Sequence, residues 1–142
     1  MTRENQFFSN QKTSSGFVAI IGAPNAGKST LMNFIVGAKV SIVTPKVQTT
    51  RTRIKGIAMV ADSQIIFIDT PGIFAPKRRL DRAMVNAAWQ GTDEADIILL
   101  LHDSARSSFD EETKNIINRI ENIQRESPNR KFALILNKID LV

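Results

Sequence analysis

Residues 22–29, Gly-Ala-Pro-Asn-Ala-Gly-Lys-Ser, have the spacing of a loop that binds the phosphate groups of a nucleotide. The glycines permit a tight turn whose backbone N–H groups converge on phosphate oxygens, and a helix beginning here adds a favourable dipole. We expect Lys28 to contact the β- and γ-phosphates and Ser29 to place its hydroxyl on Mg²⁺. A chance glycine-rich turn is the alternative, and the apolar run before the loop argues against it. The predicted phosphate-binding residues are Gly22, Ala23, Pro24, Asn25, Ala26, Gly27, Lys28, Ser29 and Thr30.

A second motif, Asp69-Thr70-Pro71-Gly72, follows another apolar run. Asp69 would then lie at the C-terminal end of a strand, where ligands bind in such sheets, and would hold Mg²⁺ through a water molecule. Gly72 offers an N–H that can approach the terminal phosphate with no side chain in the way. Alone, this sequence is also typical of an ordinary turn, but its position after the phosphate loop favours the metal-side role. The predicted nucleotide contacts here are Asp69, Thr70, Pro71, Gly72 and Ile73.

A third motif, Asn137-Lys138-Ile139-Asp140, indicates which base is bound. The Asp140 carboxylate can accept hydrogen bonds from two adjacent donors, the N1–H and the exocyclic amine of guanine. Adenine lacks this donor pair, so ATP would leave the carboxylate unpaired. Lys138 is expected to lie along the base through its alkyl stem. The motif could by itself be a polar cap after a strand, but its order after the other two favours guanine-nucleotide binding.

Alternating strands and helices are expected to position these motifs. Apolar runs predict buried strands at 17–21, 97–101 and 132–136, and residues 53–60 and 64–69 predict an antiparallel hairpin. Helical spacing predicts helices ending at Gly37, at Gly91 and near 127, the last capped by Ser108 or Asp110, with a long loop at 38–52. This pattern predicts an α/β fold: the three-layer α/β/α architecture of P-loop NTPases, with a largely parallel sheet and one antiparallel hairpin strand. His102 is expected at the surface of a strand end, and Trp89 in helix packing.

Composition limits the possible classes of protein. The chain has 142 residues, no cysteine and a net charge of +5, so disulfides and thiolate metal sites are excluded. Residues 1–15 lack the apolar core of a signal peptide, and no apolar run approaches the length of a membrane span. We therefore expect a soluble intracellular protein with a flexible tail at 1–15 and one domain at 16–142. Basic residues outnumber acidic ones in residues 1–92, which indicates either a polyanion-binding face or a merely solvated surface.

The motifs GAPNAGKST, DTPG and NKID together resemble the translation-factor-related GTPases, and TPKVQTTR at 44–51 resembles the Era family within them. The alternatives are Der- and MnmE-like domains, whose first switch resembles a GTTRD-like pattern, or a GTP-dependent binding module without hydrolysis. The resemblance implies binding of GTP and GDP with Mg²⁺, and slow GTP hydrolysis. It also implies a switch threonine on Mg²⁺ and the γ-phosphate, for which Thr50 is favoured over Thr49. Asn25 matches an asparagine that helps to hold K⁺ near the phosphates.

The resemblance therefore assigns catalytic roles to Lys28, Thr50, Gly72 and Asn25, and metal binding to Ser29, Thr50 and Asp69. Ile73 stands where Ras-like enzymes have a water-orienting glutamine. An aliphatic side chain cannot orient water, and Era-like proteins share this substitution, so hydrolysis would depend on Mg²⁺, backbone donors and K⁺.

The resemblance further implies action in assembly of the small ribosomal subunit. It implies contact with ribosomal RNA, mainly through a KH domain that would follow the GTPase domain, and we expect this sequence to end after NKID without that domain. A monomer in the cytoplasm is expected, with peripheral association at the inner membrane as a further possibility. Basic residues lie in or just after the first switch and after DTPG: Lys46, Arg51, Arg53, Lys55, Lys77, Arg78, Arg79 and Arg82. They would contact ribosomal RNA or an attached RNA-binding domain in a nucleotide-dependent way, or they lie in solvated loops without a partner.

Overall fold

Strands and helices alternate along the chain in the computed structural model, which describes residues 13–38, 54–68, 70, 72–73, 79–106 and 108–142. This alternation confirms the predicted α/β fold. The elements are β1 (Ser14–Ile21), α1 (Lys28–Ala38), β2 (Ile54–Val60), β3 (Ser63–Ile68), α2 (Arg79–Thr92), β4 (Ile97–Asp103), α3 (Glu111–Glu126), β5 (Lys131–Asn137) and a 3₁₀ turn (Ile139–Leu141).

Some predictions concern residues that the structure does not describe. The predicted loop at 38–52 lies outside the described residues except for its first position, which ends α1. Residues 1–12 of the predicted tail are also outside them. Ser14 and Ser15, which were assigned to that tail, belong to β1, so the strand begins three residues before its predicted start at Phe17.

Within the described residues, the strands form one sheet in the order β2-β3-β1-β4-β5. β3, β1, β4 and β5 are parallel, whereas β2 pairs antiparallel with β3 across the turn at Ala61 and Asp62, as predicted. The central strand β1 has β3 on one side and β4 on the other. The strand order therefore reverses at β1, because the strands that follow it lie first on one side of it and then on the other. The crevice at the C-terminal end of β1 is the usual ligand site of such sheets.

Two apolar clusters pack on opposite faces of the sheet. Successive side chains of a strand point to opposite faces. Val18 and Ile20 accordingly pack with Met32 of α1. On the other face, Ala19 and Ile21 belong to a cluster that includes Trp89 of α2 and Ile116 of α3. The result is the predicted three-layer arrangement, with α1 on one face of the sheet and α2 and α3 on the other.

Two helices extend past the glycines that were predicted to end them. Gly37 lies inside α1 and Gly91 lies inside α2. A glycine within a helix costs only about 1 kcal/mol relative to alanine, which tertiary packing readily offsets. Among the described residues, no helix has both the length and the apolar composition needed to cross a bilayer.

Burial differs from the prediction at His102 and in β5. β4 continues to Asp103, so His102 lies inside the strand, 7% exposed, with its ring edge-on to Phe109 at 4.6 Å between centroids. The prediction of a surface histidine was wrong because the strand is longer than its apolar run. β5 was predicted to be buried, but it is an edge strand on which Leu134 is 48% exposed and Leu136 55% exposed.

Asp110 caps α3, which decides between the two predicted capping residues. Its side chain accepts a hydrogen bond from the Thr113 N–H at 2.8 Å, and it pairs with Arg106. These contacts, chiefly the bond from the Thr113 backbone, hold the pKa of Asp110 below the usual aspartate range.

Replacing Asp110 by alanine should lower the free energy of unfolding by about 1 kcal/mol at pH 7, because a helix N–H loses its acceptor. Asparagine keeps that acceptor without the charge, so Asp110→Asn should cost less. Because the pKa is lower in the folded protein, the charge stabilises the fold above the unfolded-state pKa of about 4, and this contribution is lost as the pH falls through the folded-state pKa. Urea unfolding should show that the difference in free energy of unfolding between wild type and Asp110→Asn becomes smaller below pH 4. A difference independent of pH would contradict this.

Candidate functional site

The loop between β1 and α1 curls at the C-terminal end of the central strand. Asn25 has φ 64° and Gly27 has φ 100°, both in the left-handed region. Alanine would be strained at Gly27, and its Cβ would lie 2.4 Å from the Asn137 Nδ2 atom. Glycine at this position therefore lets the phosphate loop turn while remaining in contact with the third motif.

A cavity of about 660 Å³ opens beside this loop. This volume lies within the range of small-molecule sites. The cavity brings together parts of all three predicted motifs, which are far apart in the sequence. The lining residues are Pro24, Asn25, Gly27, Lys28, Ser29, Thr30, Thr70, Gly72, Met84 and Lys138.

Lys28 begins α1, and its ammonium group is held over the loop. It donates to the carbonyl oxygens of Gly22 at 3.2 Å and Ala23 at 2.8 Å. Burial lowers the pKa of Lys28 from the usual lysine value. An ammonium has three protons, so the third remains for an anion in the cavity. A phosphate there would compensate for the lost hydration of the charge.

The segment that contains Thr70 and Gly72 is fixed against the phosphate loop. The buried Thr70 hydroxyl donates to the Ile20 carbonyl, and the Ile73 N–H donates to the Gly22 carbonyl at 2.9 Å. A Cβ at Gly72 would lie 3.3 Å from the Pro24 Cα, a close approach that a side chain would disturb. Gly72 therefore lies at the cavity wall.

Ile73 directs its side chain into the protein. It is 6% exposed and belongs to the core cluster shared by α2, α3 and the sheet. Its backbone contacts the phosphate loop, but its side chain does not line the cavity. The expectation that position 73 does not orient water stays a prediction.

The third motif begins at the end of β5 and is bonded to the phosphate loop at two points. The Asn137 Nδ2 group donates to the Ala26 carbonyl at 2.9 Å, and the Lys138 Nζ group donates to the Asn25 carbonyl at 2.9 Å. Ile139 and Asp140 form part of the exposed 3₁₀ turn, and only Lys138 of this motif lines the cavity. The role of Asp140 in base selection therefore remains a prediction.

Several predicted site residues lie outside the described part of the chain. These are Thr49, Thr50, Asp69 and Pro71. Ala23 and Ala26 are buried within the loop, and Ser29 and Thr30 are exposed at the cavity.

Two residues at the site were not predicted. Met84 of α2 lines the cavity and is 42% exposed. Asp103 accepts a hydrogen bond from Lys138 at 2.8 Å. The available signal for Asp103 was an acidic residue near the C-terminal end of a predicted parallel strand, beside the strand that leads to Lys138.

Known proteins are similar to this chain in sequence and in fold. Residues 17–138 match the family described as 50S ribosome-binding GTPase. The GTPase Era of Mesorhizobium japonicum is 58% identical over 130 residues, which cover 92% of this chain and 40% of that protein. The chain thus spans about 40% of the length of this curated relative.

Two solved structures of Era share the fold. A crystal structure of an Aquifex aeolicus Era variant bound to GDP·AlF4⁻ is 42% identical, with a TM-score of 0.62 over 90% of this chain and 42% of that one. A crystal structure of Era in complex with MgGDPNP and nucleotides 1506–1542 of 16S ribosomal RNA is 35% identical, with a TM-score of 0.56 over 87% of this chain and 51% of that one. The chain therefore belongs to the family of 50S ribosome-binding GTPases, and its similarity within that family is to Era.

Proposed function

We propose that this chain is the GTPase domain, residues 16–142, of an Era-like switch that binds GTP and GDP and slowly hydrolyses GTP. The observation that carries this proposal is the single cavity at which the phosphate loop, Gly72 and Lys138 meet. The similarity to Era structures solved with GDP·AlF4⁻ and with MgGDPNP supports it.

The proposal includes Mg²⁺, because hydroxyl and carboxylate oxygens are ligands that this ion takes. Ser29 is exposed at the cavity beside Lys28, which is the position for a hydroxyl ligand next to the β- and γ-phosphates. The ion would neutralise the charge that develops between these phosphates. Thr50 and Asp69 would complete the protein ligands, and both belong to this proposal through the sequence motifs alone.

The chain's own donors would carry out most of the catalytic work. Lys28 has a proton free for a phosphate oxygen, and Gly72 lies at the cavity wall where its N–H can approach the γ-phosphate. No side chain at position 73 positions the attacking water, because Ile73 is buried in the core. We therefore expect intrinsic hydrolysis to be slow.

K⁺ should accelerate hydrolysis relative to Na⁺. Asn25 lines the cavity with an exposed side chain, and a cation held there would supply the positive charge that an arginine provides in other GTPases. Turnover of GTP should be faster in K⁺ buffer, and Asn25→Ala should remove the difference. Asn86→Ala, an exposed position on α2, is the matched control and should retain it. Equal wild-type rates in the two buffers would exclude the role of K⁺.

A second function, GTP-dependent binding without hydrolysis, is favoured by the burial of Ile73. Single-turnover measurement with labelled GTP and excess protein separates the two. Release of phosphate supports the GTPase, whereas tight binding with intact GTP after many hours supports the binding module. If GDP and GTP do not bind at all, both proposals fail.

In the whole protein, we propose that the switch acts in assembly of the small ribosomal subunit, contacts its RNA and works as a cytoplasmic monomer. The Era complex with 16S ribosomal RNA supports the contact with RNA. The cytoplasmic location and the monomeric state belong to the proposal through the sequence resemblance alone. Arg79 and Arg82 are exposed on α2, beyond the Gly72 segment, and would contribute phosphate contacts that depend on the nucleotide. Comparing the RNA affinity of the GDP and GDPNP states at two salt concentrations tests this dependence on the nucleotide, and equal affinities would contradict it.

Further RNA contacts through a KH domain, and peripheral association with the inner membrane, belong to the same proposal. RNA binding and membrane fractionation of the whole protein test them.

A further inference from the structure

The last residue of β4 contacts the third motif directly. Asp103 pairs in register with Asn137 across the parallel strands β4 and β5, so both strands end at the same edge of the sheet. The Asp103 Oδ2 atom accepts from the Lys138 Nζ group at 2.8 Å, and its Oδ1 atom accepts from the Ala105 N–H at 3.0 Å. Both carboxylate oxygens are thereby engaged, which fixes the orientation of the group.

Lys138 needs such fixing because its backbone is in an uncommon conformation. Its φ of 58° and ψ of 36° are left-handed, a conformation that is unfavourable for a residue other than glycine. Its ammonium also donates to the carbonyl of Asn25, which has a left-handed φ of 64°. One ammonium group therefore joins two left-handed residues in two separate loops, and Asp103 is its anionic partner.

The charge on Asp103 is maintained by the same contact. The hydrogen bond from Lys138, followed by the one from the Ala105 N–H, holds the pKa of Asp103 below the usual aspartate range. The side chains of Asp103 and Lys138 are 17% and 33% exposed. The ion pairs Arg106–Asp110 and Lys114–Glu111 join near neighbours in sequence, whereas this one joins positions far apart in sequence.

We propose that Asp103 is a positioning residue for guanine-nucleotide binding. Its carboxylate holds Lys138 across the gap between the third motif and the phosphate loop, so that the base-binding and phosphate-binding loops keep their separation before the nucleotide arrives. A site organised in advance avoids the cost of ordering these loops on binding. The inference rests on the proposed binding of GTP and GDP.

A surface ion pair with no role in binding would behave differently. Such pairs contribute little to stability, and their loss would leave nucleotide affinity unchanged. A positioning role also predicts little change in unfolding, but it predicts that nucleotide affinity falls. Nucleotide affinity therefore separates the two roles, and the unfolding midpoint checks that the variant is folded.

The test compares GDP affinity by titration calorimetry in five variants of the full chain. Asp103→Ala should weaken GDP binding about tenfold. Asp103→Asn keeps an acceptor for Lys138 and should recover part of that loss. Combining Asp103→Ala with Lys138→Ala should weaken binding no more than Lys138→Ala alone, because Asp103 acts through Lys138. Glu111→Gln, which removes an exposed ion pair with Lys114, is the control and should bind as wild type does.

The outcomes distinguish this inference from the proposed function. Wild-type affinity in Asp103→Ala, or losses that add in the double variant, would overturn the positioning role. A wild-type chain that binds no GDP would instead refute guanine-nucleotide binding itself. If Asp103→Ala does not fold, Asp103→Asn carries the test, and wild-type affinity with a reduced unfolding midpoint would then show a purely structural role.

Discussion

Replacing Gly27 by alanine should weaken GDP and GTP binding about 100-fold. Gly27 has φ 100°, which strains any residue with a Cβ by roughly 1–2 kcal/mol. The new Cβ would also lie 2.4 Å from the Asn137 Nδ2 atom, so Asn137 must move and lose its bond to the Ala26 carbonyl. We expect the variant loop to relieve this strain by leaving the binding conformation, so that nucleotide binding must restore it. The strain together with a lost hydrogen bond of about 1 kcal/mol then gives the expected change in affinity.

Gly37→Ala is the matched control for this substitution. Gly37 lies in α1, the same helix that begins after the phosphate loop, and a Cβ there would meet no atom within 4 Å. Alanine is favoured over glycine in a helix by about 0.5–1 kcal/mol, so this variant should have a higher unfolding midpoint and should bind GDP as wild type does. Calorimetric affinities together with unfolding midpoints measure both variants. Near-normal binding by Gly27→Ala would show that the phosphate loop relaxes around the added methyl group.

The order and type of the elements could be predicted because each follows from a local period. The alternation of Val18, Ala19, Ile20 and Ile21 buries β1 on both faces, and a run of this kind indicates a parallel central strand. The ends of α1 and α2 were each predicted one residue too early, at Gly37 and Gly91. A glycine ends a helix only where its backbone leaves the helical conformation. The exposure of β5 was not predictable from FALIL, since an apolar run has the same appearance at the centre and at the edge of a sheet.

Residues lining the cavity were predictable where a sequence motif contains them, and contacts that depend on the fold were not. Lys28 and Gly72 were found from their motifs, and both line the cavity. The contact between Asp103 and Lys138 depends on the register of β4 against β5 and on a left-handed backbone at 138. Neither property has a local sequence signal, so this pair required the three-dimensional structure. His102 shows the same limit, because its burial depends on Phe109 beyond the end of the strand.

Replacing Asp140 by asparagine should change the base preference from guanine to xanthine. The carboxylate can accept from both guanine donors, whereas an amide presents one acceptor and one donor. The amide therefore faces the guanine amine with its own N–H, but it can pair with xanthine, which has a carbonyl in place of that amine. Hydrogen bonds to a charged group contribute about 1.5–3 kcal/mol each, so GDP affinity should fall at least about 100-fold.

Competition against a labelled nucleotide measures this change in base preference. Wild type should bind IDP, which lacks the amine, about tenfold more weakly than GDP, and XDP more weakly still. Asp140→Asn should bind XDP more tightly than GDP. Asp93→Asn is the control, since Asp93 is exposed just before β4 begins. It therefore lies near the N-terminal ends of the parallel strands, whereas the cavity lies at their C-terminal ends. Asp140 is exposed in the 3₁₀ turn, so its side chain is accessible to a base. Unchanged preference in Asp140→Asn would therefore mean that another group selects the base, and the assignment of Asp140 would be wrong.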